Sequence, residues 1–538
     1  MTNTSPVQSA STRTPLLAIV LLLAGFALRV INPGVFAAFV DEWSHINRAE
    51  NIWLFQYKNP FGFSRGKLGL YYWLGFFWPE APAWLIVSRL AIALAALGTM
   101  AAVYGIARDL FGRRAALATL TIYAFAPFTL FFERMALADP FAGMLAALTI
   151  WGSIRLARRP PTTRRTAWLW GGAVGVLAAL TPIAKLTAGF IIGLPLLTIV
   201  LLAPPPPTWN RHGLGVWLAT LQRRYGQAVL ALIVAGVIIG GSYLAIYGIV
   251  RLHGSEVTLF PTQRVDQKPG LDTLQANLEQ TARAAQKLSG RGLALLLPVL
   301  ALLALLGAPR SGLIVLVWMV VLWFPILVLG VEVRTRYLVA GLPALTVLAG
   351  GGVAWLLRRA EQLGKRPLQG MQAVIALALA AWTITFALPF AWDASHNPET
   401  LDLPRLDAKE YINGMFNTWG VRDALGWVAA EGEEIDGSIP LAALLHTCGP
   451  ANLYLANNVS WICRDHTGYP GNNIPDEVSE WTPLIRSLKN RPFTYFVTEH
   501  TGGVAPADDT RIWTLLATYA RPQGGSPVDL WLVEQPGS

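Results

Sequence analysis

The chain has 538 residues and a net charge of +10, with 54% hydrophobic and only 14% charged residues. Soluble domains carry about a quarter of charged residues, so this composition excludes an ordinary soluble protein. The Lys and Arg residues lie mainly in short connectors between apolar segments, which is typical of membrane proteins, and the sequence shows no nucleic-acid-binding pattern.

Eleven apolar segments have the length of roughly 17–25 residues that spans a bilayer. They lie near 15–33, 83–107, 115–132, 140–157, 167–183, 187–203, 228–250, 292–308, 312–330, 337–357 and 371–391. The polar leader Met1–Arg13 lacks a cleavage site, so the first segment is expected to remain as a helix. Pro182 and Lys185 interrupt the stretch 167–203, which we interpret as a two-helix hairpin. The sequence therefore predicts an α-helical polytopic membrane protein.

The basic connectors predict the orientation of the chain. One side of the predicted membrane collects Arg108, Arg113, Arg114, Arg155, Arg158, Arg159, Arg164, Arg165, Arg211, Arg223, Arg224, Arg310, Arg358, Arg359, Lys365 and Arg366. The positive-inside rule makes that side cytoplasmic, together with the N-terminus. An odd number of spans then places the C-terminal region outside.

Two regions are expected from this topology. Residues 1–391 form a membrane domain with outward loops at 41–82 and 251–291, and residues 392–538 form a small extracytoplasmic α/β domain. Loop residues 42–55 and 272–288 are predicted to be helical. In the second domain we predict helices at Asp407–Met415 and Val421–Ala430 and strands at Ile439–Leu445, Asn452–Leu455, Phe493–Val497 and Leu530–Val533.

The only two cysteines, Cys448 and Cys463, both fall in the outward domain. An oxidising compartment favours a disulfide between them. The alternatives are two buried free thiols and a zinc site, because His446 and His466 stand close to the two cysteines in sequence. The spacing is not that of a standard zinc finger, so we favour the disulfide.

Acidic residues follow the first apolar segment at Asp41 and Glu42, and a second acidic site lies at Glu133 to Asp139 between two further segments. Carboxylates at a membrane boundary are costly, so they indicate a functional site. Helix capping or a solvated loop charge is the alternative for each of them taken singly. No glycine-rich phosphate loop stands at a strand–helix junction, which argues against a soluble nucleotide substrate.

Cations accompany these carboxylates on the predicted outer side. They are Lys67, Arg134, Lys185, Arg264, Arg334 and Arg336. A carboxylate can act as a general base, and Lys or Arg can stabilise a departing phosphate. This mixture suits group transfer from a lipid-linked phosphate, although snorkelling to the interface explains many single cations equally well.

The position of Asp41-Glu42 after the first helix resembles the signature of the C-type glycosyltransferase superfamily, membrane enzymes that use polyprenyl-phosphate sugars. Protein O-mannosyltransferases and lipid A aminoarabinose transferases belong to this superfamily. The resemblance covers roughly residues 15–350. It is carried further by Val87-Ser88-Arg89-Leu90, Phe111-Gly112-Arg113-Arg114, Arg134-Met135-Ala136-Leu137-Ala138-Asp139, Arg336-Tyr337-Leu338 and Leu342-Pro343.

The resemblance implies a role for each candidate residue. Asp41 corresponds to the catalytic base, Glu42 to a residue that orients it or binds the acceptor, and Asp139 to a residue that shapes the site. Donor binding is implied for Lys67, Arg134, Lys185, Arg264, Arg336 and Tyr337. Two positions depart from the family pattern: Lys67-Leu68-Gly69 replaces a proline-containing stretch, and Ser44 stands where aminoarabinose transferases carry Arg.

The function expected from the resemblance is inverting transfer of a hexose or pentose from a polyprenyl-phosphate donor to a hydroxyl of a glycolipid, polysaccharide or protein outside the membrane. Metal use stays open, since Asp41, Glu42 and Asp139 would ligate Mg²⁺ or Mn²⁺ if they converged. The alternatives are a lipid or saccharide flippase, which would place its charges near mid-membrane, and a non-catalytic envelope assembly protein.

Overall fold

The computed structural model describes residues 13–56, 66–78, 83–206, 208, 210–252, 271–329, 333–465, 492–499 and 511–535. It is mainly helical, with a small sheet near the C-terminus. The helices that precede the proline-rich connector after Ala203 are α1 (Arg13–Val30), α2 (Val40–Trp53), α3 (Leu68–Phe76), α4 (Trp84–Phe111), α5 (Arg113–Phe125), α6 (Pro127–Phe132), α7 (Ala138–Arg158), α8 (Arg164–Ala184) and α9 (Leu194–Leu202).

The second half of the helical region continues the same architecture. Its helices are α10 (Arg211–Leu252), α11 (Leu271–Ser289), α12 (Arg291–Gly307), α13 (Pro309–Leu329), α14 (Leu342–Leu363), α15 (Lys365–Trp382) and α16 (Leu388–His396). Short 3₁₀ segments, Leu186–Gly193 and Thr335–Gly341, precede α9 and α14, and a π-helical segment, Thr383–Ala387, joins α15 to α16.

Helices occupy most of the described residues of the eleven predicted apolar segments, and the predicted polytopic helical class is confirmed. The segment predicted at 115–132 is divided at Ala126 into α5 and α6. Within the described ranges, seven helices are long and apolar enough to cross a membrane, and α1 and the 186–202 helix are shorter apolar ones. Helices α11 and α12 meet at a bend of 116° at Gly290, which has a φ of +77°. The predicted helices at 42–55 and 272–288 correspond to α2 and α11.

The core of the membrane domain lies between α4, α5, α7 and α14 and is built largely from Ala, Ile, Val and Leu. Small residues let these helices approach closely, as is usual where lipid supplies no hydrophobic driving force. Gly352 on α14 shows this, because a Cβ there would collide with the Leu300 carbonyl of α12. Its neighbours Gly350 and Gly351 are in similar close contact with α5 and α12.

The C-terminal domain contains helices α17 (Arg405–Tyr411) and α18 (Val421–Glu431) and a five-stranded mixed sheet. Its strands are β1 (Ile439–Leu445), β2 (Val459–Asp465), β3 (Phe493–Glu499), β4 (Ile512–Arg521) and β5 (Gly525–Glu534), in the order β2-β1-β3-β5-β4. Strands β2, β1 and β3 are parallel, and β5 pairs antiparallel with β3 and β4. The predicted small α/β domain is confirmed.

One predicted strand in this domain is wrong, and two observed strands were not predicted. The strand predicted at Asn452–Leu455 is wrong, since Gly449–Tyr454 forms a 3₁₀ helix with Pro450 in its first turn. Proline has the φ of a helix start and cannot donate to a ladder, so the chain enters the sheet only at β2. Strands β2 and β4 were not predicted from the sequence.

Candidate active site

Asp41 lies in the first turn of α2, at the end of the apolar segment Phe36–Phe39. Glu42 fixes this turn, because its Oε2 accepts a hydrogen bond from the Phe39 N–H at 3.1 Å. The Asp41 side chain is 32% exposed, whereas Glu42 is fully buried. The two adjacent acids therefore have different environments, and of the two only Asp41 is accessible.

Glu42 forms a buried ion pair with Arg89 of α4. Its two oxygens accept from Arg89 at 2.8 and 2.6 Å, and Oε1 also accepts from the Ala136 N–H at 2.9 Å. Arg89 donates in addition to the Pro33 and Phe36 carbonyls. Glu42 thus joins three segments of the chain around Asp41, and we assign it a structural role.

Changing Glu42 to Gln is expected to lower the free energy of unfolding by about 3–5 kcal/mol, because the buried Arg89 charge would lose its partner. The matched control is Glu361→Gln on α14, whose ion pair with Arg114 is solvent-exposed. That change should cost about 0–1 kcal/mol. Thermal unfolding in detergent measures both variants, and equal effects of the two would contradict the assignment.

A second buried group of charged residues lies near the start of α7. Arg29 of α1 pairs with Glu133 at 2.6 Å, and Glu133 also accepts from the Tyr123 hydroxyl. Arg134 donates to the Leu28 and Ile31 carbonyls at 3.1 and 2.6 Å. These donors tie the end of α1 to the loop before α7. The structure therefore places Arg134 in the scaffold, away from the Asp41 group.

Arg336 is the cation closest to Asp41. Its Nη1 lies 3.0 Å from Asp41 Oδ2, and its guanidinium lies over the Phe39 and Tyr337 rings at 5.1 Å. The side chain is 10% exposed. Arg336 belongs to the 3₁₀ segment before α14, so the start of this apolar helix presents the guanidinium to the start of α2.

Asp139 and Lys185 form the second half of the site. Asp139 lies buried in the first turn of α7, and Lys185 follows the last residue of α8. The two side chains form an ion pair, and Lys185 Nζ lies 4.6 Å from the centre of the Tyr337 ring. Tyr337 therefore stands between the two cations Lys185 and Arg336.

Lys67 lies in this group directly before α3, in the connection from α2. Gly66 has a φ of +70°, and its carbonyl accepts from the Leu186 N–H at 3.1 Å, which holds Lys67 beside Lys185. A Cβ at Gly66 would lie only 3.1 Å from Leu186 Cβ and would need a strained φ. This glycine therefore allows the two lysines to share one site.

His45 is a site residue that the sequence did not indicate. Its Nδ1 donates to the Ala136 carbonyl at 2.7 Å, which leaves Nε2 to accept from Lys67 Nζ at 2.9 Å. Burial and the Lys67 charge hold the pKa of His45 well below its usual range, so the ring is neutral. A histidine one helical turn after Asp41 was the only signal for it.

Burial and neighbouring charges shift the pKa values of Asp41 and Lys67. Burial disfavours the charged Asp41, but the charges of Arg336 and Lys67 outweigh it and lower the pKa to about 2. Burial lowers the pKa of Lys67 to about 8, with the opposing charge of Asp41 only partly compensating. At neutral pH the site therefore holds an ionised carboxylate among several cations.

The C-terminal domain contacts the two segments that carry Asp41 and Arg336. The Phe416 carbonyl accepts from the Val40 N–H at 2.9 Å, and the Thr418 N–H donates to the Ala38 carbonyl at 3.1 Å. Glu410 of α17 forms an ion pair with Arg334 and lies 3.8 Å from Arg336 Nη1. Both the segment before Asp41 and the segment that carries Arg336 are therefore held by the domain that begins near residue 392.

Some buried polar atoms at this junction have no hydrogen-bond partner in the part of the chain that the structure describes. They are Arg336 Nη1, Asp407 Oδ2, Glu410 Oε2 and the Tyr411 hydroxyl. Burial raises the pKa of Asp407 to about 7, against the effect of its Thr335 hydrogen bond and of Arg336. Arg336 Nη1 is ion-paired with Asp41 but makes no hydrogen bond of good geometry to a described residue, so it retains the capacity to donate to an anionic substrate group.

The three acidic candidates do not converge as a metal site. Glu42 is bound to Arg89, Asp139 to Lys185, and Asp41 faces Arg336. Over the described ranges, no group of three or more His, Cys, Asp or Glu side chains is placed to hold a metal ion. The acidic residues present therefore do not fit a Mg²⁺ or Mn²⁺ site of the kind considered from the sequence.

Arg264, which was predicted to bind the donor, lies outside the described residues.

The two cysteines form the predicted disulfide. Cys448 and Cys463 are joined with a Cα–Cα distance of 5.8 Å. His466, which the alternative zinc site would need, lies outside the described residues. The disulfide lies beside the 3₁₀ helix whose Gly449 contacts Trp43 of α2, so it braces the contact between the two domains.

Comparison with known proteins agrees with this architecture. The family model described as dolichyl-phosphate-mannose-protein mannosyltransferase matches residues 84–238, which include α4, α7 and α8. No curated protein sequence matches the chain.

Two solved structures are similar over most of the chain. ArnT from Cupriavidus metallidurans, bound to undecaprenyl phosphate, is 16% identical with a TM-score of 0.58, covering 97% of this chain and 98% of that one. The oligosaccharyltransferase AglB from Archaeoglobus fulgidus, in complex with an inhibitory peptide and a dolichol-phosphate, is 12% identical with a TM-score of 0.53 and covers 91% of this chain and 69% of its own. The resemblance predicted from the sequence is therefore confirmed: the chain has the fold of the C-type membrane glycosyltransferases.

Proposed function

We propose that this protein is an inverting glycosyltransferase that moves a sugar from a polyprenyl-phosphate donor to a hydroxyl acceptor on the outer face of the membrane. The observation that carries the proposal is the partly exposed Asp41 carboxylate, 3.0 Å from Arg336 and surrounded by Lys67 and Lys185. Structures of similar fold bound to undecaprenyl phosphate and dolichol-phosphate support the choice of donor.

In the proposed reaction Asp41 is the general base. The acceptor oxygen attacks the anomeric carbon while its proton passes to an Asp41 oxygen. The bond between the anomeric carbon and the phosphate oxygen breaks, and polyprenyl phosphate leaves with the bonding electrons. The phosphate changes from a diester with one negative charge to a monoester with two, so it needs no proton from an acid.

The cations act on the charge that develops on the leaving phosphate. We assign Arg336 as a planar donor to the phosphate oxygens and Lys67 and Lys185 as point charges beside it. Asp139 holds Lys185 in position through its ion pair. Tyr337 presents its ring to both Lys185 and Arg336, which keeps the two cations apart in the absence of a phosphate.

Donor binding also makes Asp41 a stronger base. In the free site the charges of Arg336 and Lys67 hold its pKa at about 2, which is low for a carboxylate that must accept a proton. A bound phosphate neutralises these cations, so the pKa of Asp41 should rise toward its ordinary value. The enzyme would then activate the acceptor only when the donor is in place. The acid limb of kcat should consequently lie at higher pH than that of kcat/KM.

The alkaline limb of the pH profile of kcat/KM is expected to report the titration of Lys67. Since the pKa of Lys67 is lowered from 10.5 to about 8, its positive charge is present below pH 8 and is lost above it. For the donor, kcat/KM should fall by about tenfold per pH unit above this value. In the variant Lys67→Arg the guanidinium stays charged, so the limb should move to higher pH. An unchanged limb in that variant would assign the titration to another group.

The proposal is tested by a transfer assay with purified protein in membranes. Labelled polyprenyl-phosphate hexoses and pentoses are offered with glycolipid, polysaccharide and peptide acceptors, and the release of polyprenyl phosphate is measured. Sugar-dependent release supports the proposal. No release from any donor, with protein shown to be folded by its thermal transition, would argue against a transferase and favour a transport or assembly function.

We also propose that the transfer needs no metal ion, because Arg336, Lys67 and Lys185 can neutralise the phosphate charge. Addition of EDTA should therefore leave the rate unchanged within about twofold, since loss of a catalytic metal would remove several kcal/mol of charge stabilisation. Restoration of an EDTA-inhibited rate by Mg²⁺ or Mn²⁺ would refute this part of the proposal without affecting the rest.

A further inference from the structure

A second charged site lies at the far end of the helices that carry the Asp41 site. Helix α4 begins near Arg89, which pairs with Glu42, and α7 begins at Asp139. Arg108 and Arg158 lie near the other ends of these two helices. Nineteen residues separate each pair, which is about 29 Å at 1.5 Å per residue. Because the hydrocarbon core of a bilayer is about 30 Å thick, this far end lies at the opposite membrane interface.

A cavity of about 330 Å³ opens between these helix ends. Its lining consists of Arg108, Asp109, Gly112, Arg113, Arg155, Arg158 and Arg159. Five guanidinium groups therefore face one volume with a single carboxylate among them. Gly112 has a φ of +98° and makes the tight turn from α4 to α5 that brings Arg108 and Arg113 to the same cavity.

The interior contacts hold part of this lining in place. Asp109 accepts from Arg155 at 3.0 Å and from the Trp151 indole N–H at 3.1 Å, and Arg155 also lies 4.9 Å from the Trp151 ring centre. Arg158 donates to the Asp109 carbonyl and to Ser311 of α13 at 3.2 Å. Arg155 and Arg158 are thus positioned by contacts with α4 and α13, whereas Arg108, Arg113 and Arg159 line the cavity from exposed positions.

Membrane topology alone does not explain this arrangement. The positive-inside bias requires arginines on one side of the membrane but not that they converge on a cavity. Arg164 and Arg165 at the start of α8 belong to the same basic side and are absent from the lining. Asp109 neutralises only Arg155 among the five arginines, so a bound anion would relieve the repulsion between the other four. Guanidinium groups favour phosphate, which they bind in bidentate geometry.

We propose that this arginine cavity binds the phosphate of an anionic phospholipid headgroup, at the membrane interface opposite the Asp41 site. Its depth at the level of the headgroups favours a lipid over a soluble phosphate. The ligand would bridge the ends of α4, α5 and α7, three helices of the bundle core. The inference does not depend on the transfer reaction proposed for the Asp41 site.

The test measures lipid binding to the full-length protein. The double variant Arg108→Gln/Arg159→Gln removes two cavity charges, and Arg164→Gln/Arg165→Gln is the control with the same change in net charge. Each protein is reconstituted into nanodiscs of phosphatidylcholine with or without phosphatidylglycerol, extracted, and examined by native mass spectrometry. We expect wild type and control to retain phosphatidylglycerol, and the cavity variant to bind it about tenfold more weakly for each guanidinium removed.

Three outcomes would overturn the proposal. They are equal retention by the cavity and control variants, no preference of the wild type for phosphatidylglycerol over phosphatidylcholine, and displacement of the lipid by inorganic phosphate, which would assign the cavity to a soluble anion. Thermal unfolding in phosphatidylcholine shows whether each variant is folded. Should the first variant not fold, Arg113→Gln/Arg159→Gln removes two lining charges from different elements and is judged by the same outcomes.

Discussion

Changing Asp41 to Asn is expected to lower kcat for sugar transfer by about 10²–10⁴-fold, the usual contribution of a general base. Asparagine has nearly the same shape but cannot accept the acceptor proton. Because the change also removes the negative charge beside Arg336, the donor phosphate should bind at least as tightly as in the wild type. The loss should therefore appear in kcat and not in the Kd of the donor, which is measured by titration with the labelled lipid.

The control for this prediction is Asp402→Asn, which makes the same chemical change at an exposed residue paired with Lys287. That variant should retain full activity. A kcat for Asp41→Asn within about tenfold of the wild type would remove Asp41 from the role of general base. A large loss in donor affinity with an unchanged kcat would instead make Asp41 a donor-binding residue.

Changing Arg336 to Gln should lower kcat/KM for the donor by about 10²–10³-fold, the effect expected when one donor to a developing oxyanion is removed. The guanidinium is buried, lies 3.0 Å from Asp41, and has a nitrogen without a hydrogen-bond partner among the described residues. Since Arg336 is the largest of the charges that lower the pKa of Asp41, the acid limb of kcat/KM should also move to higher pH in this variant.

Two variants separate this role from a general loss of positive charge. Arg336→Lys retains the charge without the planar fork and should recover part of the rate. Arg283→Gln removes a guanidinium from an exposed pair with Glu279 on α11 and should have no effect. If Arg336→Gln loses activity without any shift of the acid limb, Arg336 contacts the donor but does not control the basicity of Asp41.

The sequence alone was sufficient for the membrane class and for the location of the helical segments. Both follow from the transfer of apolar residues out of water, which depends on local composition and is visible in a window of about twenty residues. Asp41 was proposed as a candidate in the same way, because a carboxylate directly after an apolar helix is unusual on energetic grounds. The strand predicted at Asn452–Leu455 was wrong, because Pro450 stands in the first turn of a 3₁₀ helix there despite the apolar residues.

The roles of the individual charges depended on tertiary structure. Asp41 and Glu42 are adjacent in sequence, yet packing of α4 buries Glu42 against Arg89 and leaves Asp41 accessible. Arg134 was grouped with the binding cations, but the end of α1 occupies its donors.

Glu410 reaches Arg336 from the other end of the chain. A pairing of this kind has no signature in local sequence, because it arises only when helices and domains have packed. Hydrophobic patterning therefore determined which segments cross the membrane. The packing of those segments decided which charges are paired in the scaffold and which remain to act on a substrate.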